Sequence, residues 1–212
     1  MNETSNAIIL LGGGGHAKVL IDLITERGEY KIVGILDPKM ERGTHLKGID
    51  VLGADDALSE LRDQGIKNVA IAVGSTKCNL LRKTLFDRSR ELDFQIPALI
   101  HPNSICSSDI SLSDGVQIMA GAIIQTDSIL GEGTVVNTGA QVDHDCQIGS
   151  HVFLSPGVVL SGGVVVGNNA FVGAGAIVIQ GVKVGDNAII AAGAVVIQDV
   201  KDGALVKGVP AR

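Results

Sequence analysis

The sequence predicts two folds in series: an α/β unit over residues 1–97 and an all-β solenoid over residues 98–212. Three observations carry this reading. Apolar residues recur at every sixth position from Leu112 to Val196. Strand-like and helix-like segments alternate before residue 97. The composition is rich in glycine, 28 of 212 residues, and almost free of aromatics at 2%. With 45% hydrophobic residues the chain is not disordered, and its core must be built from Val, Ile, Leu and Ala. A net charge of −6 supplies no basic patch to counter nucleic-acid phosphates.

Taken in order, Met1-Asn2-Glu3-Thr4 has no basic start, and the following apolar run is too short for a secretory signal, so a cytoplasmic protein is expected. Ala7–Leu11 reads as a buried strand. Gly12-Gly13-Gly14-Gly15-His16-Ala17 follows, then a helix with Val19, Leu20, Leu23 and Ile24 inward. Tyr30–Leu36 is a second strand that ends at Asp37-Pro38, and His45 belongs to a surface loop. Asp55–Gln64 is a short helix, Asn68–Val73 a third strand ending at Gly74, and Thr76–Leu92 a helix with Leu81, Leu85 and Leu92 inward. Pro97 and His101-Pro102 mark the junction. Such alternation predicts a small parallel sheet with helices packed on it, a Rossmann-like unit. Gly12-x-Gly14-x-x-Ala17 after a strand has the form of a phosphate-binding loop, whose backbone N–H groups approach a pyrophosphate at a helix N-terminus. Asp37 stands where such folds place a ribose-binding acid. The unit is too short for a full dinucleotide fold, so a mononucleotide or a nucleotide-sugar diphosphate fits better. A glycine-rich turn without a ligand is the plainer alternative.

The second half is governed by the hexad. Fifteen consecutive positions six apart, from Leu112 to Val196, are Ile, Leu or Val. Four residues after each stands a small or β-branched residue, among them Ala122, Ser128, Cys146, Ala170 and Val200. A period of six is neither helical nor simple strand alternation, and it fits short flat strands joined by tight corners. Anchor and small residue point inward, and the rest face out. Cys146–Val182 contains no charged residue, yet its regularly spaced Ser, Gln, Asn and Gly mark a patterned soluble segment rather than a membrane span. The three cysteines, Cys78, Cys106 and Cys146, are odd in number and lack metal-ligand spacing, which fits a reducing compartment. The outward triplet Asp143-His144-Asp145 is the candidate catalytic feature. On an eighteen-residue coil, Gly162 and Gly163 would fall beside His144 and Asp145 and leave room for a long ligand.

This hexad resembles that of the hexapeptide-repeat acyltransferases. The resemblance implies a left-handed parallel β-helix with three hexads per eighteen-residue coil, five coils over 112–201, a lead-in over Ile100–Ser111, and a homotrimer with active sites between subunits. The Gly12–Val19 segment, Leu36-Asp37, Val73-Gly74, Asn137-Thr138-Gly139, His144-Asp145-Cys146 and Gly208-Val209-Pro210-Ala211-Arg212 together resemble the NeuD/PglD family of sugar acyltransferases. That family moves acetyl from acetyl-CoA to an amino or hydroxyl group of a sugar, often a nucleotide-linked 4-amino-4,6-dideoxy sugar. The resemblance implies that His144 is the general base and Asp145 the acid that raises its basicity. It implies that Gly14, Gly15, His16, Asp37, Gly74 and Asn137 bind the nucleotide sugar, with UDP as the nucleotide by analogy. It places Phe153, Gly162, Ala174 and Ala192 along the CoA groove, and no metal. Some members carry a histidine at the position of Phe153 that touches acetyl-CoA; here the nearest is His151. N-acetylation of a nucleotide-linked amino sugar is the first expectation and O-acetylation of a sialic-acid-like sugar the alternative. A zinc hydratase would need three converging histidines, and a bare scaffold would not need His144-Asp145 or the glycine loop.

Overall fold

A computed structural model describes residues 6–77 and 79–212; the segment Met1–Ser5, with the expected Met1–Thr4 start, and Cys78 lie outside the described residues. The α/β unit opens with β1 (Ala7–Leu11), α1 (Gly15–Arg27) and β2 (Lys31–Leu36), close to the expected bounds. A hairpin follows, β3 (His45–Leu46) and β4 (Ile49–Gly53), which the pattern did not announce. Its two-residue turn, Lys47-Gly48, has positive φ at both positions, the backbone twist that favours tight hairpins. His45 is thus a strand residue, exposed and 2.9 Å from the Asp50 carboxylate. A 3₁₀ turn at Asp55–Ala57 leads into α2 (Leu58–Asp63), then β5 (Asn68–Ile71) and α3 (Leu80–Glu91). The sheet order is β3-β4-β2-β1-β5, parallel except for β3.

Four details differ from expectation. β5 ends at Ile71, two residues early, and α3 begins at Leu80 rather than Thr76. Leu81 is 56% exposed, and the buried stripe of α3 is Arg82, Leu85, Phe86 and Ser89, with Leu92 only partly covered. Val19 also faces out, and Ile21 takes its place in the buried face of α1.

From Leu99 onward the chain is a left-handed parallel β-helix of two-residue strands in three sheets of seven, six and five strands. We call these faces one, two and three in the order in which the chain first meets them, at Leu99–Ile100, Ile105–Cys106 and Ser111–Leu112. Up to Val196 each strand residue pairs with the one eighteen positions on, as in Gln141 with Val159 and Val135 with Phe153. The coil therefore starts at Leu99, and the stretch expected as a lead-in already pairs with the next coil. Fourteen of the fifteen anchors are buried, Leu112 being partly covered, and the small residues all lie inside with them. After Val196 the repeat loses two residues: Val184 pairs with Val200 and Ile190 with Val206. Val200 thus occupies an anchor position rather than the inner small position.

The outward residues are not all solvated. On face one, Leu99, Gln117, Val135, Phe153 and Phe171 point out and are buried beneath the α/β unit. Leu99, Val135, Phe153 and Phe171 share one apolar cluster with Ile8, Leu10, Leu20 and Ile24. From Gly115 to Gly193 the third residue of each corner has a left-handed backbone, and where it is not glycine it is Asp127, Asp145, His151, Asn169 or Asn187. Asp and Asn tolerate that conformation better than other side chains do.

Gly131 faces the next coil so closely that a β-carbon there would lie 2.6 Å from the backbone of Gly149 and Ser150. Gly131→Ala is expected to destabilise the chain by about 1–3 kcal/mol, the usual cost of overpacking, measured by denaturant unfolding. Gly14→Ala, where a β-carbon meets nothing within 4 Å, is the control and should unfold as the wild type does.

Candidate active site

The glycine loop divides into two kinds of glycine. Gly12 has φ +112° and its β-carbon would strike Val73; at Gly13 it would strike Met40. These two are required by the protein's own packing. Gly14 and Gly15 have no such reason. Gly14 has an extended backbone at φ −83°, and a β-carbon at either position would enter open space. Their bareness clears the approach to the first turn of α1, which is what a phosphate group needs. Asp37 accepts hydrogen bonds from the backbone N–H of Gly13 at 2.6 Å and of Lys39 at 2.8 Å. It therefore holds the loop as well as facing a cavity of about 260 Å³ that Gly14, Lys39, Asp55 and Gly74 also line. Partial burial raises the Asp55 carboxyl above its ordinary range.

A larger cavity of about 700 Å³ lies between the α/β unit and the β-helix. Gly15, His16 and Gly74 line it from one side, and Asn137, Phe153, Ala174 and Ala192 from the other. The two cavities meet at Gly74. Phe153 and Phe171 stack at 5.9 Å, and the His16 ring is tilted against Phe153 at 6.2 Å. His16 Nε2 lies 2.8 Å from Gln117 Oε1, and burial with the Arg82 charge pushes its pKa down to about 4. Arg82 is wholly buried, which lowers its pKa to about 9, so the guanidinium keeps its proton at neutral pH. It donates to the carbonyls of Ile71, Val73 and Gly133.

His144 sits elsewhere, at a corner between faces two and three, and is absent from both cavities. Its Nδ1 is 2.6 Å from the Asp145 carboxylate, and its backbone N–H donates to Asp143 at 2.8 Å. A carboxylate partner keeps the hydrogen on Nδ1, so Nε2 is the nitrogen with a free lone pair. The Asp145 hydrogen bond, with the Asp143 charge, raises the imidazole pKa above its ordinary value. Gly162 lies against the ring, since a β-carbon there would come within 2.6 Å of His144 Cε1 and Nε2. Within one protomer Gly162 thus belongs with His144, while Ala174 and Ala192 lie at the other edge of face two. His151 is buried against Phe86, ring edge to face at 5.1 Å, and does not line the large cavity. Among the described residues no three His, Cys, Asp or Glu side chains converge as metal ligands.

Several residues of the site had no motif to mark them. Gln117 stands in an outward column, spaced by eighteen, that otherwise reads Leu99, Val135, Phe153, Phe171 and Ile189. Such an apolar outward column signals a covering domain, and its one polar member signals a buried hydrogen bond. Arg82 breaks the apolar stripe of α3 in the same way. Asn79 bonds the carbonyls of His151 and Ala170 and ties the start of α3 to the β-helix.

Known proteins resemble both halves of the chain. Residues 7–89 match the family model of the PglD N-terminal domain, and residues 127–162 and 163–198 each match that of the bacterial transferase hexapeptide, six repeats. PerB from Caulobacter crescentus, crystallised with CoA and GDP-perosamine, is 40% identical with a TM-score of 0.91, covering 98% of this chain and 97% of that one. The acetyltransferase domain of PglB from Neisseria gonorrhoeae, in complex with acetyl coenzyme A, is 34% identical with a TM-score of 0.91, covering 98% of each chain. UDP-N-acetylbacillosamine N-acetyltransferase of Bacillus subtilis is 39% identical over 116 residues, which are 53% of this chain and 51% of that protein. The match with this curated relative thus spans about half its length.

The His144 pair has a measurable consequence. The negative neighbours hold the proton to higher pH, so His144 should titrate above an unperturbed histidine. Asp145→Asn should move that titration to lower pH, because the partner loses its charge. Asparagine also suits the left-handed backbone at Asp145, φ 59°, so this variant keeps the corner while Asp145→Ala would strain it. NMR titration of the His144 ring is the check; an unmoved pKa in Asp145→Asn would remove Asp145 from the site.

Proposed function

The chain belongs to the NeuD/PglD-type sugar acyltransferases of the hexapeptide-repeat superfamily, and on that premise we propose that it transfers the acetyl group of acetyl-CoA to the amino group of a nucleotide-linked sugar. The observation that carries the reading is the pair of glycines, Gly14 and Gly15, bare for no reason of the fold, Gly14 opening onto the small cavity beside Asp37 and Gly15 onto the large one that His16, Asn137, Phe153, Ala174 and Ala192 share. Residues 1–97 hold the nucleotide sugar in this division of labour, and residues 98–212 hold acetyl-CoA and supply the base. The relatives include proteins named for both GDP- and UDP-linked sugars, so the nucleotide is a variable of the test. We place the reaction in the cytoplasm, where acetyl-CoA and nucleotide sugars meet.

In the reaction the sugar nitrogen attacks the thioester carbonyl carbon. The N–C bond forms, the C–S bond breaks, the nitrogen gives up a proton to His144 Nε2, and the departing sulfur takes a proton to leave as CoA thiol. Asp145 holds the imidazole in the tautomer with Nε2 bare and favours the imidazolium as it forms.

The base and the large cavity stand at opposite edges of face two. We infer a homotrimer in which His144 of one protomer serves the cavity of its neighbour. Support comes from face two itself, which the α/β unit leaves uncovered and which carries exposed Ile105 and Ile177 among half-buried Ile123, Val159 and Val195. Light scattering should return three times the 21.8 kDa chain mass, and a monomer at micromolar concentration would overturn the shared site.

The direct test is an acetyl-transfer screen over UDP-, GDP- and dTDP-amino sugars, with free sialic acids as the O-acetylation arm, read by mass spectrometry. With the substrate in hand, His144→Ala should lower kcat by about 10²–10⁴, the usual loss for a general base, and leave the trimer folded because the side chain is exposed. Gly14→Val should raise the sugar KM and spare acetyl-CoA. The opposite split would exchange the ligands between the two domains.

A further inference from the structure

His16 ends a chain of hydrogen bonds that one arrangement of protons satisfies. Two groups of fixed polarity start the chain. The Ile71 carbonyl only accepts, and it takes the side-chain N–H of Gln117 at 2.9 Å. The Arg82 guanidinium only donates, and its Nη2 lies 3.5 Å from Gln117 Oε1. Turning the Gln117 amide over would set its NH₂ against the guanidinium and its oxygen against the Ile71 carbonyl. Oε1 must therefore face His16, and His16 Nε2, 2.8 Å away, must carry the hydrogen. A neutral imidazole has one such hydrogen, so Nδ1 is left as a lone pair. Among the described residues Nδ1 has no protein partner, while the His16 ring lines the large cavity. Burial and the nearby guanidinium keep the ring neutral, with a pKa of about 4.

We propose that Gln117, itself oriented by Arg82 and the Ile71 carbonyl, is a positioning residue that fixes His16 as the Nε2–H tautomer and so makes Nδ1 an obligatory acceptor for an N–H or O–H group of the sugar. The proposal rests on reading the large cavity as the sugar site. Its chemical content is a selection by polarity. A sugar with a hydrogen-bond donor at that position gains a partner, and a deoxy or ether analogue meets a buried lone pair with none. So weak a base as His16 orients the donor and leaves the proton to His144.

The first test needs no variant. A long-range ¹H–¹⁵N spectrum of the wild-type protein at neutral pH, with His16 assigned by its loss in His16→Asn, should show the Nε2–H tautomer. An Nδ1–H tautomer or an imidazolium would overturn the proposal. Gln117→Met keeps the volume and removes the amide. The tautomers should then mix, and the sugar KM should rise about 3- to 10-fold, the worth of one hydrogen bond, with acetyl-CoA KM and kcat unchanged. A packing role alone would leave the tautomer in place. An unchanged sugar KM in folded Gln117→Met overturns the proposal, and a rise in the acetyl-CoA KM instead overturns it in favour of a pantetheine N–H as the donor. Gly15→Val, at a wall of the large cavity, separates the two levels. If it raises the sugar KM and Gln117→Met does not, the cavity reading stands and the tautomer lock falls. If neither raises it, the cavity reading falls and takes the lock with it.

Discussion

Parallel pairing at an offset of eighteen residues is the constraint on which the rest of this structure depends. It stacks each residue on its counterpart one coil away, as Gln147 on Val165 and Phe153 on Phe171. Functional positions therefore come as columns rather than as isolated residues. The Asn137, Ser155, Gly173 and Ala191 corners lie one above another and line one wall of the large cavity. His144 rests over Gly162 because the two are a coil apart. A single inserted residue would rotate every later position out of its column, and would turn an anchor outward at each coil beyond it. The two-residue loss occurs only after Val196, where little of the coil remains to be displaced.

The second element is the joint between the domains. Burying a guanidinium costs several kcal/mol unless its donors are met. Arg82 meets them with carbonyls at the end of β5 and with Gly133 and Gln117 of the β-helix. One side chain of α3 thus ties the sheet of the first domain to the solenoid. Arg90 adds an outer clamp to Asp114 and Glu132 and covers the Phe86 ring. The consequence for the site is positional. The loop at Gly74 and the start of α1 are held at a set distance from Asn137 and Phe153, so the cavity between them has fixed walls.

What could be read from residues alone follows from how local each signal is. The hexad is local and repetitive, so the coil, its inner residues and the Gly162 position beside His144 were all legible. The strands and helices of the α/β unit were legible where apolar runs are continuous, as at Ala7–Leu11. They were not where the decisive partner is distant. Val19 and Leu81 look inward by spacing, yet the first borders the large cavity and the second the small one. Gln117 and Arg82 were invisible as site residues because neither has a neighbour in sequence that explains it. Each becomes intelligible only when the domains meet. Gly12 through Gly15 read as one motif, and the fold alone separates the two glycines it needs for itself from the two it leaves bare.

The proposed homotrimer gives the separation of His144 from the large cavity a geometric resolution. Face two is bounded on one side by the corners that line the cavity and on the other by the corner that carries His144. A cyclic contact is heterologous: one edge of each subunit meets the opposite edge of the next. With face two turned toward a threefold axis, the cavity edge of one protomer lies beside the His144 edge of its neighbour, at all three interfaces at once. The same arrangement would cover the column of Ile105, Ile123, Val159, Ile177 and Val195, interrupted by Gln141 alone, over which no other element packs among the described residues. Face one cannot take that role because the α/β unit already occupies it, and face three offers Ser111, Gln147 and Lys183 between Ile129 and Val165. Docking of the first domain on face one therefore does two things. It builds half of the large cavity, and it leaves face two, of the remaining faces, as the more apolar one on which the proposed shared site would be assembled.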